Sequence, residues 1–170
     1  MPIRLATPAD AAAIAAIYNH YVETTTITFE EQAVAADEMA RRIADVGARL
    51  PWYVFERAEA VLGYAYATPW RARSAYRFSV ESTVYVAPGC ARQGIGSRLY
   101  KVLIDDLRAR GMQVVLGGIA QPNPASVHLH QSVGFEKVAH FKRVGRKFGQ
   151  WVDVGYWELQ LDGTAGAPPG

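Results

Sequence analysis

Cysteine and net charge are the two scarcest features of this sequence. Cys90 is the only cysteine among 170 residues, so the chain cannot form an internal disulfide, and metal sites built from several thiolates are excluded. The formal net charge is only +2, which gives no reason to expect nucleic acid or an anionic membrane surface as a partner. These absences favour a cytoplasmic enzyme or binding domain.

Long hydrophobic runs are missing as well. No stretch has the length of a membrane-spanning helix, and the N-terminus lacks the basic-then-apolar layout of a signal peptide. We therefore expect no membrane partner. Half of the residues are apolar (50%) and 20% are charged, as in ordinary globular proteins. The sequence predicts one domain over residues 1–161 and a disordered tail at 162–170, which consists of glycine, proline and small residues.

Hydrophobic periodicity predicts a mixed α/β protein. The order is one strand, two helices, three strands, a helix, a strand, a helix and two strands. A hydroxyl N-cap, an early proline and an acid three residues later predict that the first helix opens at Thr7. The closing hairpin is predicted to turn around residues 145–149. The expected strands are 3–6, 52–56, 61–67, 78–86, 114–119, 135–144 and 151–161, and the later helices are 35–46, 95–110 and 124–133.

A glycine-rich bend joins a strand to a helix in the stretch "VYVAPGCARQGIGSRLY", which begins at Val84. Such a bend can bind phosphate, because free main-chain amides meet there at the positive end of the helix dipole. A P-loop is excluded because Ile95-Gly96 stands where Lys-Ser/Thr is required, and a dinucleotide fingerprint fails because Leu99 replaces its third glycine. From the glycines alone, a tight turn without a ligand remains an alternative.

The letters "ARQGIG" after the strand "VYV" resemble the pyrophosphate loop of the GNAT acetyltransferases, Gln/Arg-x-x-Gly-x-Gly/Ala. The sequence departs from that pattern at Ala91. The stretch "NPASVHLHQSVGF" is similar to the second GNAT motif, with Ser126 and His130 in place of the usual alanine and tyrosine. The resemblance implies that acetyl-CoA binds through residues of the strand, the loop and the second motif, namely Val84, Tyr85, Val86, Arg92, Gln93, Gly94, Ile95, Gly96, Ser97, Asn123 and Ser126.

The same resemblance implies a fold. GNAT proteins have a twisted, mostly antiparallel sheet of about six to seven strands, flanked by about four helices, with a V-shaped splay between the fourth and fifth strands. It also implies a homodimer, and a β-bulge in the fourth strand. The stretches "NHYVETTTITF", "WRARSAYRFSVESTVYV" and "GQWVDVGYWEL" are similar to the phosphinothricin and methionine sulfoximine (methionine sulfone) acetyltransferase branch over nearly the whole chain.

Glu81 is the candidate general base. An ammonium group has no lone pair, so the attacking amine must first lose its proton to a base within reach or through one water. Strand alternation places Glu81, Thr83 and Tyr85 on one face. A carboxylate in so apolar a strand is costly unless it is partnered or useful. The alternative is a wet position at the rim of the sheet, and the resemblance at "ESTVYV" favours catalysis.

His130 stands where the family places a tyrosine general acid. A histidine there can donate a proton to the leaving thiolate or act as a base through water. The alternative is a capped or surface histidine. His128 lies only two residues away and faces another side of the helix, so a His-x-His metal site is not expected. By family analogy, a main-chain amide near Tyr85 or Val86 would bind the developing oxyanion.

The stretch "WRARSAY" is the candidate for substrate recognition. Guanidinium groups suit carboxylate, phosphinate and sulfone oxygens because their paired donors match paired acceptors. A solvated basic surface is the alternative, and we prefer it for Arg77. The resemblance assigns substrate contacts to Arg71, Arg73 and Tyr76. We also expect contacts from Phe29, Glu81, Thr83 and Val154, although Phe29 and Val154 could equally belong to the core.

The function that these patterns predict is transfer of acetyl from acetyl-CoA to the α-amino group of a small free amino acid, by direct attack of the deprotonated amine on the thioester. The resemblance implies L-methionine sulfoximine, L-methionine sulfone or phosphinothricin as the substrate, and no metal. Two alternatives stay open. One is acetylation of protein N-termini or lysines, and the other is a non-catalytic acyl-CoA-binding module.

Overall fold

The computed structural model describes residues 2–161, so the tail expected at 162–170 lies outside the described residues. It contains seven strands and four α-helices in the predicted order. These are β1 (Ile3–Leu5), α1 (Ala11–Thr24), α2 (Ala36–Gly47), β2 (Trp52–Arg57), β3 (Ala60–Pro69), β4 (Ser79–Val86), α3 (Ile95–Ala109), β5 (Val114–Gln121), α4 (Pro124–Ser132), β6 (Glu136–Lys147) and β7 (Gln150–Gln160).

All seven strands form one sheet in the order β1-β2-β3-β4-β5-β7-β6. Every neighbouring pair is antiparallel except β4 and β5. Those two strands pair only from Ser79↔Val114 to Glu81↔Leu116. Beyond that point β4 continues beside β3, and β5 continues beside β7. The predicted mixed sheet with a splay between its fourth and fifth strands is therefore confirmed.

The β3–β4 register runs without interruption from Pro69↔Val80 to Gly63↔Val86. The bulge that the family resemblance implied for β4 is thus wrong for its pairing with β3. Alternation along β4 is regular in consequence: Val80 packs with the core on one face, and Tyr85 packs with the core on the other.

Helices cover both faces of the sheet. The α3 side buries Leu99, Leu103 and Leu107, which are all 0% exposed. Each such leucine contributes about 1.5–3 kcal/mol through removal of its side chain from water. On the other face, Ile14 of α1 and Met39 of α2 pack against β2 and β3. No helix within residues 2–161 combines the length and apolar character needed to cross a membrane.

The first helix begins later than the sequence indicated. Pro8–Asp10 form a 3-10 turn and α1 starts at Ala11. The Asp10 carboxylate accepts hydrogen bonds from the Thr7 main-chain N–H at 2.8 Å and from both terminal guanidinium nitrogens of Arg4 at 2.9 and 2.8 Å. The predicted acid is therefore the group that organises this turn, and it also ties α1 to β1.

The closing hairpin also differs from its prediction. β6 continues to Lys147, so Gly145 lies within the strand and the turn falls at Phe148 and Gly149. The β6–β7 register shifts between Phe141 and Gly145. At this bulge Arg143 has a φ of 53° and its N–H donates to Asp153 at 2.8 Å. The bend of the chain therefore falls at Arg143, and Gly145 has the extended conformation of a strand residue.

Candidate active site

The glycine-rich bend ends in a helix N-terminus with free main-chain donors. Gly94 is the N-cap of α3 and has a φ of 73°, a left-handed conformation that suits glycine. The intrahelical bonding starts with the Arg98 N–H, which donates to the Gly94 carbonyl at 3.1 Å. The amides of Ile95, Gly96 and Ser97 precede it and have no acceptor within the helix. These donors and the helix dipole suit a diphosphate.

Side chains around the bend leave that backbone accessible. Arg92 and Gln93 are exposed, and the Gln93 side-chain oxygen accepts a hydrogen bond from Arg57 at 2.8 Å. A Cβ on Gly96 would lie 3.0 Å from Leu129 of α4. Glycine at that position therefore permits close packing of α3 on α4 and brings the two predicted motifs together.

The second motif begins with a capped helix. The Asn123 side-chain oxygen accepts from the Ser126 N–H at 3.2 Å and closes the N-terminus of α4. Asn123 and Ser126 line a cavity of about 90 Å³ in the splay, opposite Glu81 and Thr83 of β4. The splay thus joins residues predicted for the cofactor with residues predicted for catalysis.

Two main-chain amides of β4 point into the splay. The Ala87 N–H donates to the Leu62 carbonyl of β3 at 2.8 Å. Because antiparallel ladders alternate, Tyr85 and Thr83 also bond to β3, whereas the amides of Val84 and Val86 face the opposite side, where β5 has diverged. Of the two positions proposed for an oxyanion donor, the geometry favours Val86 over Tyr85.

Glu81 lies where β4 and β5 separate. It pairs with Leu116 in the last parallel step and is half-buried. Burial raises the pKa of its carboxyl, and the neighbouring Tyr156 hydroxyl offsets part of that rise. A raised pKa brings a carboxylate closer to the strength required of a base near neutral pH. The wet-rim alternative does not describe this position.

His130 is 3% exposed, within the core rather than at the surface. Its Nδ1 lies 2.7 Å from the Ser126 carbonyl oxygen, which can only accept, so Nδ1 carries the proton. Nε2 then accepts from the Tyr100 hydroxyl at 2.9 Å, and the Tyr100 oxygen lies 3.2 Å from Ser82 Oγ. Burial lowers the pKa of His130. The neutral ring is therefore held in one tautomer by the Ser126 carbonyl, and a buried chain of hydroxyl groups satisfies its other nitrogen.

A second, larger cavity of about 430 Å³ opens between β5, β6, β7 and the segments before α2 and after β3. Glu81 does not line it, but Leu116, the β5 residue paired with Glu81, does. Three predicted substrate residues, Phe29, Arg71 and Val154, line it. The Arg71 guanidinium lies 5.0 Å from the Trp70 ring centre, in cation–π geometry. The cavity is mostly apolar with one cation at its wall, which suits a small amino acid with an anionic or oxidised side chain.

Two other predicted substrate residues, Glu81 and Thr83, line the smaller cavity instead. The remaining two lie outside both linings. Arg73 and Tyr76 belong to an exposed 3-10 turn that follows Trp70, and Tyr76 is 38% exposed. Arg77 is exposed and its guanidinium stacks 4.6 Å from the Phe78 ring centre, which agrees with the surface position preferred for it.

Several residues that line the two cavities are not among those predicted from the sequence. Tyr156 stands between them, because it lines the larger cavity and approaches Glu81. Phe141 and Val144 reach the larger cavity through the β6 bulge. Tyr100 and Ser82 hold His130. Tyr100 could have been predicted, because it lies on the buried side of α3 and a buried tyrosine hydroxyl needs a hydrogen-bond partner.

The residues present fit the diphosphate and thioester ends of acetyl-CoA. A diphosphate requires several donors without competing acceptors, and the first turn of α3 supplies them. A thioester carbonyl requires a donor inside the splay, and the Val84 and Val86 amides face it. Within residues 2–161, no group of three or more His, Cys, Asp or Glu side chains is placed to bind a metal ion.

Comparisons with known proteins agree with this geometry. Residues 3–155 match the model of the acetyltransferase (GNAT) domain. The L-methionine sulfoximine/L-methionine sulfone acetyltransferase of Salmonella typhimurium is 41% identical over 95% of this chain and 95% of its own length.

Two solved structures are similar along almost their whole length. The phosphinothricin acetyltransferase of Sinorhizobium meliloti, in complex with AcCoA, has a TM-score of 0.93 and 36% identity, covering 99% of this chain and 94% of its own. The ribosomal-protein-alanine N-acetyltransferase of Brucella melitensis has a TM-score of 0.91 and 38% identity, covering 94% and 99%. With its glycine-rich helix cap, splayed sheet and family match, this chain belongs to the GNAT acetyltransferase family.

Proposed function

We propose that this protein transfers acetyl from acetyl-CoA to the α-amino group of a small free amino acid, with L-methionine sulfone, L-methionine sulfoximine and phosphinothricin as its best substrates. One observation carries the proposal. The half-buried Glu81 stands at the separation of β4 and β5 and lines the 90 Å³ cavity in the splay, and the neighbouring Tyr156 lines the 430 Å³ cavity that contains Arg71.

The cofactor side holds acetyl-CoA, which supplies an activated acetyl thioester. The amides of residues 93–97 bind its diphosphate at the start of α3, and Arg92 adds a cation beside it. Val84, Tyr85 and Val86 supply the strand edge along which the thioester arm lies, with the Val86 amide as donor to the carbonyl oxygen. Asn123 and Ser126 line the opposite wall.

Glu81 prepares the attacking amine. It accepts one proton from the substrate ammonium, directly or through a water, so that nitrogen gains the lone pair that forms the new amide bond. Thr83 lies two residues further along β4, on the same face as Glu81, and lines the same cavity. The raised pKa of Glu81 helps this transfer, because the difference in pKa between carboxylate and ammonium becomes smaller.

We place His130 in a proton relay to the departing thiolate. Its neutral ring accepts at Nε2, through Ser82 and Tyr100, the second proton that the amine nitrogen loses as the amide forms, and the same chain returns a proton to the thiolate. A CoA thiol has a pKa near that of cysteine, about 8.5, so a proton donor helps without being essential. The hydroxyl chain through Tyr100 and Ser82 connects the buried ring to the splay. A proton can therefore reach the cleft although both ring nitrogens are occupied by protein partners.

Arg71 selects the substrate by its charge. Its guanidinium binds the oxidised or anionic oxygens of the side chain or the α-carboxylate, while Phe29 and Val154 contact the methylene groups. Arg73 and Tyr76 lie on the turn that follows, and we place them at the mouth of this cavity, where they meet the substrate on entry. Arg77 takes no part.

We also propose that the protein forms a homodimer through the β6–β7 hairpin. Five large apolar side chains of that hairpin are at least half exposed: Val138 53%, Phe141 50%, Val144 59%, Phe148 57% and Trp151 55%. A patch of this kind marks a protein–protein contact more often than a free surface. Trp151→Glu should convert a dimer to a monomer in analytical ultracentrifugation, whereas Leu5→Glu, at an apolar residue that is 53% exposed on the opposite edge strand, should not.

The free thiol of Cys90 agrees with activity in the cytoplasm, where thiols remain reduced. Acetylation of protein N-termini or lysines is the second candidate, because the similar Brucella structure is named a ribosomal-protein-alanine N-acetyltransferase. The aromatic and arginine lining of the acceptor cavity favours one free amino acid over a polypeptide, which needs an open groove.

A thiol-release assay decides between these functions. The purified protein is offered acetyl-CoA with methionine sulfone, methionine sulfoximine, phosphinothricin, unmodified amino acids and a set of peptides. We expect turnover with the free amino acids. Turnover with peptides alone would overturn the substrate proposal, and acetyl-CoA binding by calorimetry without turnover of any amine would identify a non-catalytic binding module.

A further inference from the structure

The segment Thr28–Glu30, between α1 and α2, is fastened to three different elements. The Tyr18 hydroxyl of α1 bonds to Thr28 Oγ1 at 2.7 Å and also to the Glu30 carboxylate. Arg42 of α2 donates to both oxygens of that carboxylate, at 3.0 and 2.8 Å. The two residues that flank Phe29 are thus held in place, although Phe29 itself is 40% exposed.

Lys147 provides the third attachment, from β6. It is 1% exposed, and its Nζ donates to the Thr28 main-chain carbonyl at 2.8 Å. An ammonium group loses hydration when it is buried, which is costly unless a specific interaction compensates. Glu30 and Glu31 are the acidic groups that act on it, and burial nevertheless lowers its pKa. A methyl-terminated side chain would fill the same space at lower cost, so the charge is retained for its bond to the segment.

Gly145, two residues before Lys147, lies beneath the Phe29 ring. A Cβ built on Gly145 would come within 2.9 Å of Phe29 Cδ2 and still closer to two other ring carbons. Real Cβ atoms do not approach other atoms so closely, so any side chain at Gly145 would displace the ring. Gly145 has ordinary strand pairing with Val152. Its missing side chain, rather than any special backbone conformation, is what Phe29 requires.

The position of Phe29 determines the shape of the acceptor cavity. Phe29 is one wall of the 430 Å³ space, and Arg71, Trp70 and Tyr156 are among the others. β6 also supplies Phe141 and Val144 to this lining. A shift of the ring by the width of a methyl group would therefore change the room left for a substrate side chain between Phe29 and Arg71.

We propose that Gly145 and Lys147 are specificity-determining positioning residues: Gly145 receives the Phe29 ring, Lys147 holds the Thr28 carbonyl, and together they fix the distance between Phe29 and Arg71. Neither residue touches the reacting atoms. This inference rests on the proposed function, since it assigns Phe29 to the substrate side chain.

The test is a double-mutant cycle between Gly145→Ala and Phe29→Leu. Gly145→Ala alone should raise the KM for methionine sulfone about tenfold, the scale of a one-methylene misfit in an apolar pocket, and leave the KM for acetyl-CoA unchanged. In the Phe29→Leu background the same change should have almost no effect, because the smaller side chain leaves room for the methyl group. Gly47→Ala is the matched control, since a Cβ there meets nothing within 4 Å.

Lys147→Met tests the second contact without adding bulk, so it remains informative even if Gly145→Ala does not fold. It should raise the KM for methionine sulfone about tenfold with little change in kcat. This is the lower end of the range expected for loss of one hydrogen bond to a charged group, because this bond only positions a wall of the cavity. Lys101→Met, at an exposed lysine of α3, is its control. Strictly additive effects in the cycle, or equal losses for acetyl-CoA and the amino acid, would overturn the proposal.

The failure of this inference can be separated from failure of the proposed function. If the unmodified protein acetylates no free amino acid, the proposed function is wrong whatever the variants do. If it acetylates methionine sulfone and both Gly145→Ala and Lys147→Met keep the original KM, the proposed function stands and only the positioning role is removed. A crystal structure of Gly145→Ala provides a readout besides activity, since the Phe29 ring must leave its present position.

Discussion

The two halves of the sheet differ in how they build a binding site. From β1 to β4 the strands are antiparallel with a single register shift, at Phe55/Glu56. This regular half presents main-chain amides at the edge of β4 and at the start of α3. On the other side of the splay, β6 and β7 have two register shifts. That irregular half presents side chains, among them Phe141, Val144, Val154 and Tyr156.

This difference separates acetyl-CoA binding, which depends on main-chain donors, from the choice of amino acid, which depends on side chains. Backbone donors depend on the path of the chain and on the glycines that permit it, so a change such as Ala91 in the loop pattern leaves the donors of α3 in place. Side-chain walls depend on each residue they contain. Substitutions in the irregular half should therefore change the choice of amino acid while acetyl-CoA binding persists.

Glu81→Gln should have the largest effect, because Glu81 stands where the two halves meet. Without a base, kcat should fall about 10²–10⁴-fold, and acetyl-CoA affinity in calorimetry should stay the same. In the unmodified protein the rate should fall with decreasing pH through the raised pKa of Glu81, since only the deprotonated carboxylate accepts a proton. An unchanged rate in the variant, or an unchanged acidic limb of its pH profile, would remove Glu81 from the mechanism.

Arg71→Ala should have the next largest effect, confined to the amino-acid cavity, which Arg71 lines from the segment between β3 and β4. Loss of a charge-assisted hydrogen bond, worth about 1.5–3 kcal/mol, should raise the KM for methionine sulfone roughly 10–100-fold. The KM for acetyl-CoA should not change. Arg77→Ala removes the same charge from the exposed residue that stacks on Phe78 and is the matched control. Equal effects of the two variants would mean that Arg71 contributes only to the general surface charge.

Tyr100→Phe tests the buried hydroxyl chain on the cofactor side. The change leaves His130 Nε2 without its donor, so the free energy of unfolding should fall by about 1–3 kcal/mol. If the chain carries a proton for the leaving thiolate, kcat should also fall, by about tenfold, with both KM values unchanged. Lower stability with unchanged kcat would show that Tyr100 only supports the core.

The sequence predicted most of the regular half, apart from the later start of α1 and the absence of a bulge between β3 and β4. Gly94 and Gly96 lie at the N-terminus of α3 as their spacing predicted, and Glu81 occupies the face of β4 that alternation assigned to it. The predicted family and fold are confirmed, because these features depend on local periodicity and on turn residues that can be read along the chain.

The irregular half could not be predicted from local patterns. The β6 bulge centres on Arg143, whose positive φ is not signalled by a glycine but is held by Asp153, ten residues later. The Phe29 ring meets Gly145 across more than a hundred residues of sequence. Such contacts depend on strand pairing and packing between distant segments, and no periodicity in one segment specifies them.

Asp10→Asn should have the smallest effect on catalysis, because Asp10 lies in the regular half, at the β1–α1 turn. Its bonds to Arg4 and Thr7 hold the pKa of the Asp10 carboxyl below its usual value. Its stabilisation is therefore present above the usual pKa of aspartate and disappears as pH falls through the lowered pKa. The variant should lose about 1–2 kcal/mol of unfolding free energy at neutral pH, and this difference should shrink in acid, with both KM values unchanged. Urea unfolding at neutral and at acidic pH measures this difference in unfolding free energy. A loss of equal size at both pH values would show that the charge of Asp10 is not the cause of the stabilisation. An altered KM would contradict the separation between the two halves of the sheet.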